Sequence, residues 1–290
     1  MPLGDINNPG RNILRAGEEV KVGSIVIEKG RALLPGYLGL AAAAGISRVK
    51  VYRRPRAAVI AIGDEVVAPG RKLHPGQLYA SNLVTICAWL SFFGITCSTA
   101  IVPDNKDAIR SELLKHLPEV DAILTSGGAW SSERDLIVGI LDELGWNKFF
   151  HHVRMGPGKG VSFGLLKGKP VFCLPGGPAS NEKAFLQLAL PCLVRLGGQT
   201  KHPLQTFTAR LTQDIKSRHP NWTQFKDAYL SQDADGNYLV TPYRNLSRLQ
   251  SIARATCLLC VPEGRDSLRA GEMVTVQLLM PPFDSLETVR

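Results

Sequence analysis

Cysteine is scarce: six in 290 residues, too few for a small secreted scaffold held by disulfides. Cys87, Cys97, Cys173 and Cys192 sit among apolar neighbours, where free thiols behave as small hydrophobes, so a reducing compartment is expected. Cys257 and Cys260 have half of a zinc spacing, yet no second Cys or His pair follows at a matching distance, and the stretch reads as a buried strand. Long hydrophobic runs are also missing. Residues 38–46 and 185–194 are the longest and fall short of a bilayer, while residues 1–10 are polar and turn-rich, unlike a secretory leader. The expectation is a cytoplasmic protein with no membrane partner. Aromatic residues, 7% of the chain, form no stripe interleaved with basic ones, which argues against nucleic acid as a partner.

What the chain does have is a hydrophobic content of 44%, enough to bury a sizeable core in two or three compact units. Its formal charge of +9 favours anionic ligands without choosing among them. Residues 1–54 read as a small strand/helix unit, with loose alternation over 18–27 and an alanine-rich helix over 36–45 that stops at glycine. Pro55 marks a boundary. From 55 to 198 apolar strands (57–62, 95–102, 121–125, 148–153, 161–165, 170–174) mix with helices (78–93, 106–117, 133–144, 179–196). Continuously apolar strands alternating with helices imply an α/β fold with a mainly parallel, Rossmann-like sheet covered on both faces. Residues 199–282 carry short β-branched and aromatic runs between turns such as Asp235-Gly236-Asn237, the pattern of a β-rich domain, and 283–290 form a tail.

Ligands of open α/β sheets lie beyond the carboxyl ends of the strands, where loop amides and helix N-termini converge. Here those ends carry Gly63-Asp64-Glu65, Pro103-Asp104, Ser126-Gly127-Gly128 with Asp135, and Pro175-Gly176-Gly177-Pro178. Taken one at a time, Asp64, Asp104 and Asp135 are ordinary turn and N-cap residues. Gathered on one rim, carboxylates beside glycines suggest a metal-assisted phosphate site, because the carboxylates would repel a phosphate unless a divalent cation lay between. Gly156-Pro157-Gly158-Lys159-Gly160 lacks the Walker spacing and precedes a strand, so it is neither a nucleotide-hydrolysis loop nor a dinucleotide fingerprint; Lys159 remains a candidate point charge for a phosphate. His151 and His152 should point to opposite faces of their strand. Ser126 and Ser131 have no evident His partner for nucleophilic hydrolysis.

These motifs, in this order, resemble the MoeA and gephyrin E-domain family, the molybdopterin molybdenumtransferases. The similarity runs from Gly10-Arg11-Asn12-Ile13-Leu14-Arg15-Ala16-Gly17 through Gly76-Gln77-Leu78-Tyr79-Ala80-Ser81-Asn82, Thr125-Ser126-Gly127-Gly128 and Pro157-Gly158-Lys159 to Leu174-Pro175-Gly176-Gly177-Pro178-Ala179-Ser180. The resemblance implies adenylylated molybdopterin and molybdate as substrates, Mg2+ as cofactor, AMP as leaving group and a homodimer. It assigns Glu65, Asp104 and Asp135 to catalysis and to the metal. Asp64, Asn82, Ser126, Gly127, Gly128, Lys159, Pro175, Gly176, Pro178 and Ser180 are assigned to the pterin ligand. The chain departs from the family pattern at Ile62, Trp130, Ser132, Gly156, Gly160 and Gly177. Family members carry roughly a domain's worth of sequence before the Asn12 motif. Either a separate polypeptide supplies that part, or the protein serves as a pterin carrier, sensor or scaffold without turnover.

Overall fold

The computed structural model describes residues 13–127, 136–279 and 287–288. The chain divides into two units, Met1–Arg53 with Gly198–Thr200, and Arg54–Gly197 with Lys201–Arg290. In the first, the described residues form turns and one helix, α1 (Pro35–Ala43), with proline in its first turn and a stop at Gly45, φ +73°. The strand expected over 18–27 does not form. Gly17, Gly23 and Gly30 all have positive φ, and the bonds from Glu18 N to Arg15 O (3.0 Å) and from Ser24 N to Lys21 O (3.1 Å) fold the segment back as turns. Ile13, Leu14, Val22 and Ile25 of this unit remain exposed.

The second unit opens with β1 (Arg56–Ile62), then a short parallel pair, β2 (Val66–Val67) and β3 (Leu78–Tyr79), ahead of helix α2 (Ser81–Phe92). There follow β4 (Thr96–Val102), α3 (Lys106–His116), β5 (Ala122–Ser126), α4 (Leu136–Glu143), β6 (Asn147–His151), β7 (Met155–Gly156), β8 (Ser162–Leu166) and β9 (Lys169–Leu174). The sheet order is β4-β1-β5-β9-β8-β6; β4, β1, β5 and β9 are parallel, whereas β8 and β6 are antiparallel. Strand alternation between two covered faces explains why β1 is apolar from Ala57 to Ile62. Ala57 and Val59 face a core built with Ile86 and Leu90 of α2, while Ala58, Ile60 and Ile62 face a second core with Ile109 and Leu113 of α3 and Ile137 and Leu141 of α4.

The helix expected over 179–196 is three pieces: α5 (Pro178–Ala184), a π-helical turn (Phe185–Ala189) and α6 (Leu190–Leu196). Pro191 has no amide to donate, and the wide π turn immediately before it takes up the mismatch, with Leu190 N bonded to Phe185 O. The chain ends in a β-rich domain of β10 (Thr206–Leu211), β11 (Ile215–Lys216), β12 (Thr223–Gln232), β13 (Tyr238–Pro242), helix α7 (Arg248–Arg254), β14 (Cys257–Val261), β15 (Ser267–Leu268), β16 (Met273–Leu278) and β17 (Glu287–Thr288). Its main sheet runs β13-β10-β16-β14-β12-β17, and β11 pairs with β15. Cys257 and Cys260 both lie in β14; burial pushes the Cys257 thiol up to about 12. Phe225 and Leu258 of this domain enter the same core as α2 and α6. A further tie is β7, which pairs in parallel with the start of β12, Met155 beside Thr223 and Gly156 beside Gln224.

Candidate functional site

Because β4, β1, β5 and β9 are parallel, their carboxyl ends open onto one edge. At the first two, Gly63 N donates to Val102 O (3.1 Å), drawing the loops together. Asp64 N then donates to Asp104 Oδ2 (3.3 Å), and Asp104 N returns the bond to Asp64 Oδ1 (3.1 Å). This pairing keeps two carboxylates side by side at adjacent strand tips. Asp104 is not the cap of α3; Asn105 is, accepting from Asp107 N and Ala108 N at 3.0 Å each. Glu65 folds back over the same turn, where a Cβ on Gly63 would lie 2.6 Å from Glu65 Oε2.

At the tips of β5 and β9 a clamp forms. Asn82 Nδ2 donates to Ser126 Oγ (3.2 Å) and Gly176 O (2.7 Å), while Asn181 Nδ2 donates to Ser126 Oγ (3.0 Å) and Pro175 O (2.8 Å). With two amides on its oxygen, Ser126 retains its hydroxyl proton for a further acceptor. Gly127 turns at φ +95° against the end of β1 and lies 3.7 Å from where a Cβ on Gly176 would be. Sequence reasoning missed Asn181. In Asn181-Glu182-Lys183 it reads as part of a solvated helix face, yet all three side chains are buried.

Pro175 and Ser180 also line a cavity of about 600 Å³ between the Lys159 loop and the β-rich domain. The loop is anchored by β7 on β12 and by the bond from Val153 N to Lys159 O (3.1 Å). Gly158, φ +120°, tucks against α5, since a Cβ there would lie 3.3 Å from Ala184 N. Among the described residues the charged side chains of the lining are cations, Lys159, Arg218 and Lys226, and the imidazoles of His152 and His219 stand beside them. Burial, and then Arg218, hold the Lys226 ammonium below the usual lysine range. His152 departs from expectation. β6 ends at His151 and His152 takes φ +72°, so strand alternation no longer applies and the two rings meet with centroids 3.9 Å apart.

The structure thus groups Asp64, Glu65 and Asp104 at one end of the rim, Asn82, Ser126, Gly127 and Gly176 at its centre, and Lys159, Pro175 and Ser180 in the cavity. Pro178 opens α5, whose N-terminus has no side-chain cap. Gly128 and Asp135 lie outside the described residues. Among the described residues no three His, Cys, Asp or Glu side chains converge as a metal set. The paired Asp64 and Asp104 nonetheless fit Mg2+ in donor chemistry, because that ion takes one or two protein carboxylates and completes its shell with water or phosphate oxygens.

Comparison with known proteins agrees with this layout. Residues 58–195 match the "Probable molybdopterin binding domain" and residues 208–279 the MoeA C-terminal region, domain IV. The molybdopterin molybdenumtransferase of Haemophilus influenzae is 30% identical over 293 residues, covering 99% of this chain and 70% of that protein. Molybdopterin molybdenumtransferase 2 of Mycobacterium tuberculosis is 32% identical, covering 92% and 67%. A crystal structure of a molybdopterin biosynthesis MoeA protein from Pyrococcus horikosii superposes with a TM-score of 0.78 at 32% identity, covering 91% of this chain and 64% of that one. The chain therefore spans about two thirds of the length of these relatives. With both domains matched in order and the likeness extending over nearly its whole length, the chain belongs to the MoeA family of molybdopterin molybdenumtransferases.

Proposed function

We propose that this chain acts in molybdenum cofactor biosynthesis, binding adenylylated molybdopterin and inserting molybdenum from molybdate as AMP leaves. The observation that carries the reading is the division of charge along the strand tips. A cavity whose charged lining, among the described residues, is cationic adjoins, through the Pro175–Gly176 turn, a rim bearing Asp64, Glu65 and Asp104. Lys159 and Arg218 take oxyanions of the substrate, and the Ser126 hydroxyl, fixed by Asn82 and Asn181, donates to another. Mg2+ would be held by the paired Asp64 and Asp104, with Glu65 and Asp135 the further acidic positions that the family resemblance assigns to it, and would supply positive charge where phosphoanhydride and molybdate oxygens crowd. The apolar residues exposed on the Met1–Arg53 unit support self-association as a homodimer.

Incubation with adenylylated molybdopterin, molybdate and magnesium is expected to release AMP, followed by chromatography. Asp104→Asn and Glu65→Gln are expected to slow release by about 100-fold or more, the usual scale for removing charge stabilisation at a reacting phosphoryl or acyl group. Binding of the pterin without AMP release, even with an added N-terminal polypeptide of a family member, would leave a carrier in place of an enzyme.

A further inference from the structure

The ring of Trp222 has no part in the reading above, yet it stands beside the lysine on which that reading leans. Lys159 Nζ lies over the indole, 5.3 Å from its centroid. The indole is supported by His219, whose ring stacks on it with centroids 4.6 Å apart and planes inclined by 29°. It also packs on the loop itself, since a Cβ on Gly156 would sit 3.6 Å from Trp222 Cε3. Trp222 immediately precedes β12, the strand that pairs with β7 of the lysine loop, so the backbone ladder fixes indole and loop relative to each other.

A lysine side chain has four rotatable bonds, and an exposed one ordinarily samples many rotamers. Among the described residues no carboxylate lines the cavity to capture Lys159, so the ring is the described partner that restricts it. An aromatic face attracts an ammonium without neutralising it, because the ring offers a quadrupole and no net charge. A carboxylate in the same place would cancel the charge a phosphate needs. The geometry points to Trp222 as a positioning residue that holds the Lys159 side chain at the mouth of the cavity for a phosphate oxyanion. The inference rests on the proposed phosphate-bearing ligand, but the placement of Lys159 can be read without any ligand.

Two measurements on the full chain test it. With lysines reductively 13C-methylated, the Lys159 signal, assigned by its loss in Lys159→Met, is expected to be shifted upfield by the ring. That shift should vanish in Trp222→Leu and be partly retained in Trp222→Phe. A Lys159 signal at the same position in the wild type and in Trp222→Leu would overturn the proposal whatever the protein's activity. Inorganic pyrophosphate then serves as the anion probe in calorimetry. Trp222→Leu is expected to weaken its binding about threefold to fivefold, the effect of an exposed cation–π contact. Trp222→Phe should recover most of the loss, and Trp222→Leu should cost nothing more in a Lys159→Met background. Additive losses, or no saturable pyrophosphate binding by the wild type, would sink the positioning role. A negative AMP-release assay alongside a positive ring-shift and calorimetric result would reject turnover while leaving that role standing.

Discussion

Gly127 leaves β5 at φ +95°, and a methyl group on it would lie 2.4 Å from the Ile62 carbonyl oxygen, so the turn has room only for glycine. The obstacle is backbone from a neighbouring strand, which cannot swing aside as a side chain could. Gly127→Ala is therefore expected to destabilise the protein by about 2 kcal/mol or more, combining a disfavoured φ with displacement of the β1 tip. Urea unfolding measures it; a loss below about 0.5 kcal/mol would mean the tips of β1 and β5 are not packed as described. Single residues also show where local rules stop. The histidine pair obeys strand alternation only as far as His151, and Asn181 gains its role at Ser126 from a helix position that looks solvated in sequence.

At the scale of elements, α5 is joined to β12 by buried charge. Lys183 is 0% exposed and bonds to Glu182 Oε2 (2.8 Å) and to Asp227 Oδ1, while Trp89 Nε1 of α2 donates to Glu182 Oε1 (3.2 Å). One cation here satisfies two carboxylates, so removing it strands both in a site with little water. Lys183→Met is expected to cost about 3–5 kcal/mol, the range for breaking a buried ion pair from one side. A triple substitution, Lys183→Met with Glu182→Leu and Asp227→Leu, should recover much of that loss, because no buried charge is left unpaired. Equal destabilisation of the single and triple variants in guanidinium titrations would show that packing volume, rather than charge, holds the contact. The strand/helix alternation of residues 55–198 was legible because each apolar run is long enough to set its own period. The π turn at Phe185–Ala189 was not, since an apolar helix reads the same whether its hydrogen bonds reach four residues or five.

Over the whole molecule, the net charge of +9 sets the field in which an anion approaches, and the cavity lined by Lys159, Arg218 and Lys226 is where it would be focused. The association rate of the pterin ligand, followed by stopped-flow tryptophan fluorescence, is expected to fall severalfold as ionic strength rises from roughly 0.05 to 0.5 M, because the Debye length shortens accordingly. A rate indifferent to salt would show that the excess charge lies away from the cavity.

The sequence by itself determined the fold class, the family and the kinds of residue at each strand tip. These follow from short-range periodicity and from motifs contiguous in the chain. Which tips become neighbours was decided only by the strand order β4-β1-β5-β9, which sets Asp64 against Asp104 and Ser126 between Asn82 and Asn181. The basic wall of the cavity likewise belongs to the tertiary structure. Arg218, His219, Trp222 and Lys226 lie about sixty residues beyond Lys159 and reach it only because β7 pairs with the start of β12 in the other domain. Backbone hydrogen bonding of this kind carries no side-chain signature, so no pattern of residues announces it.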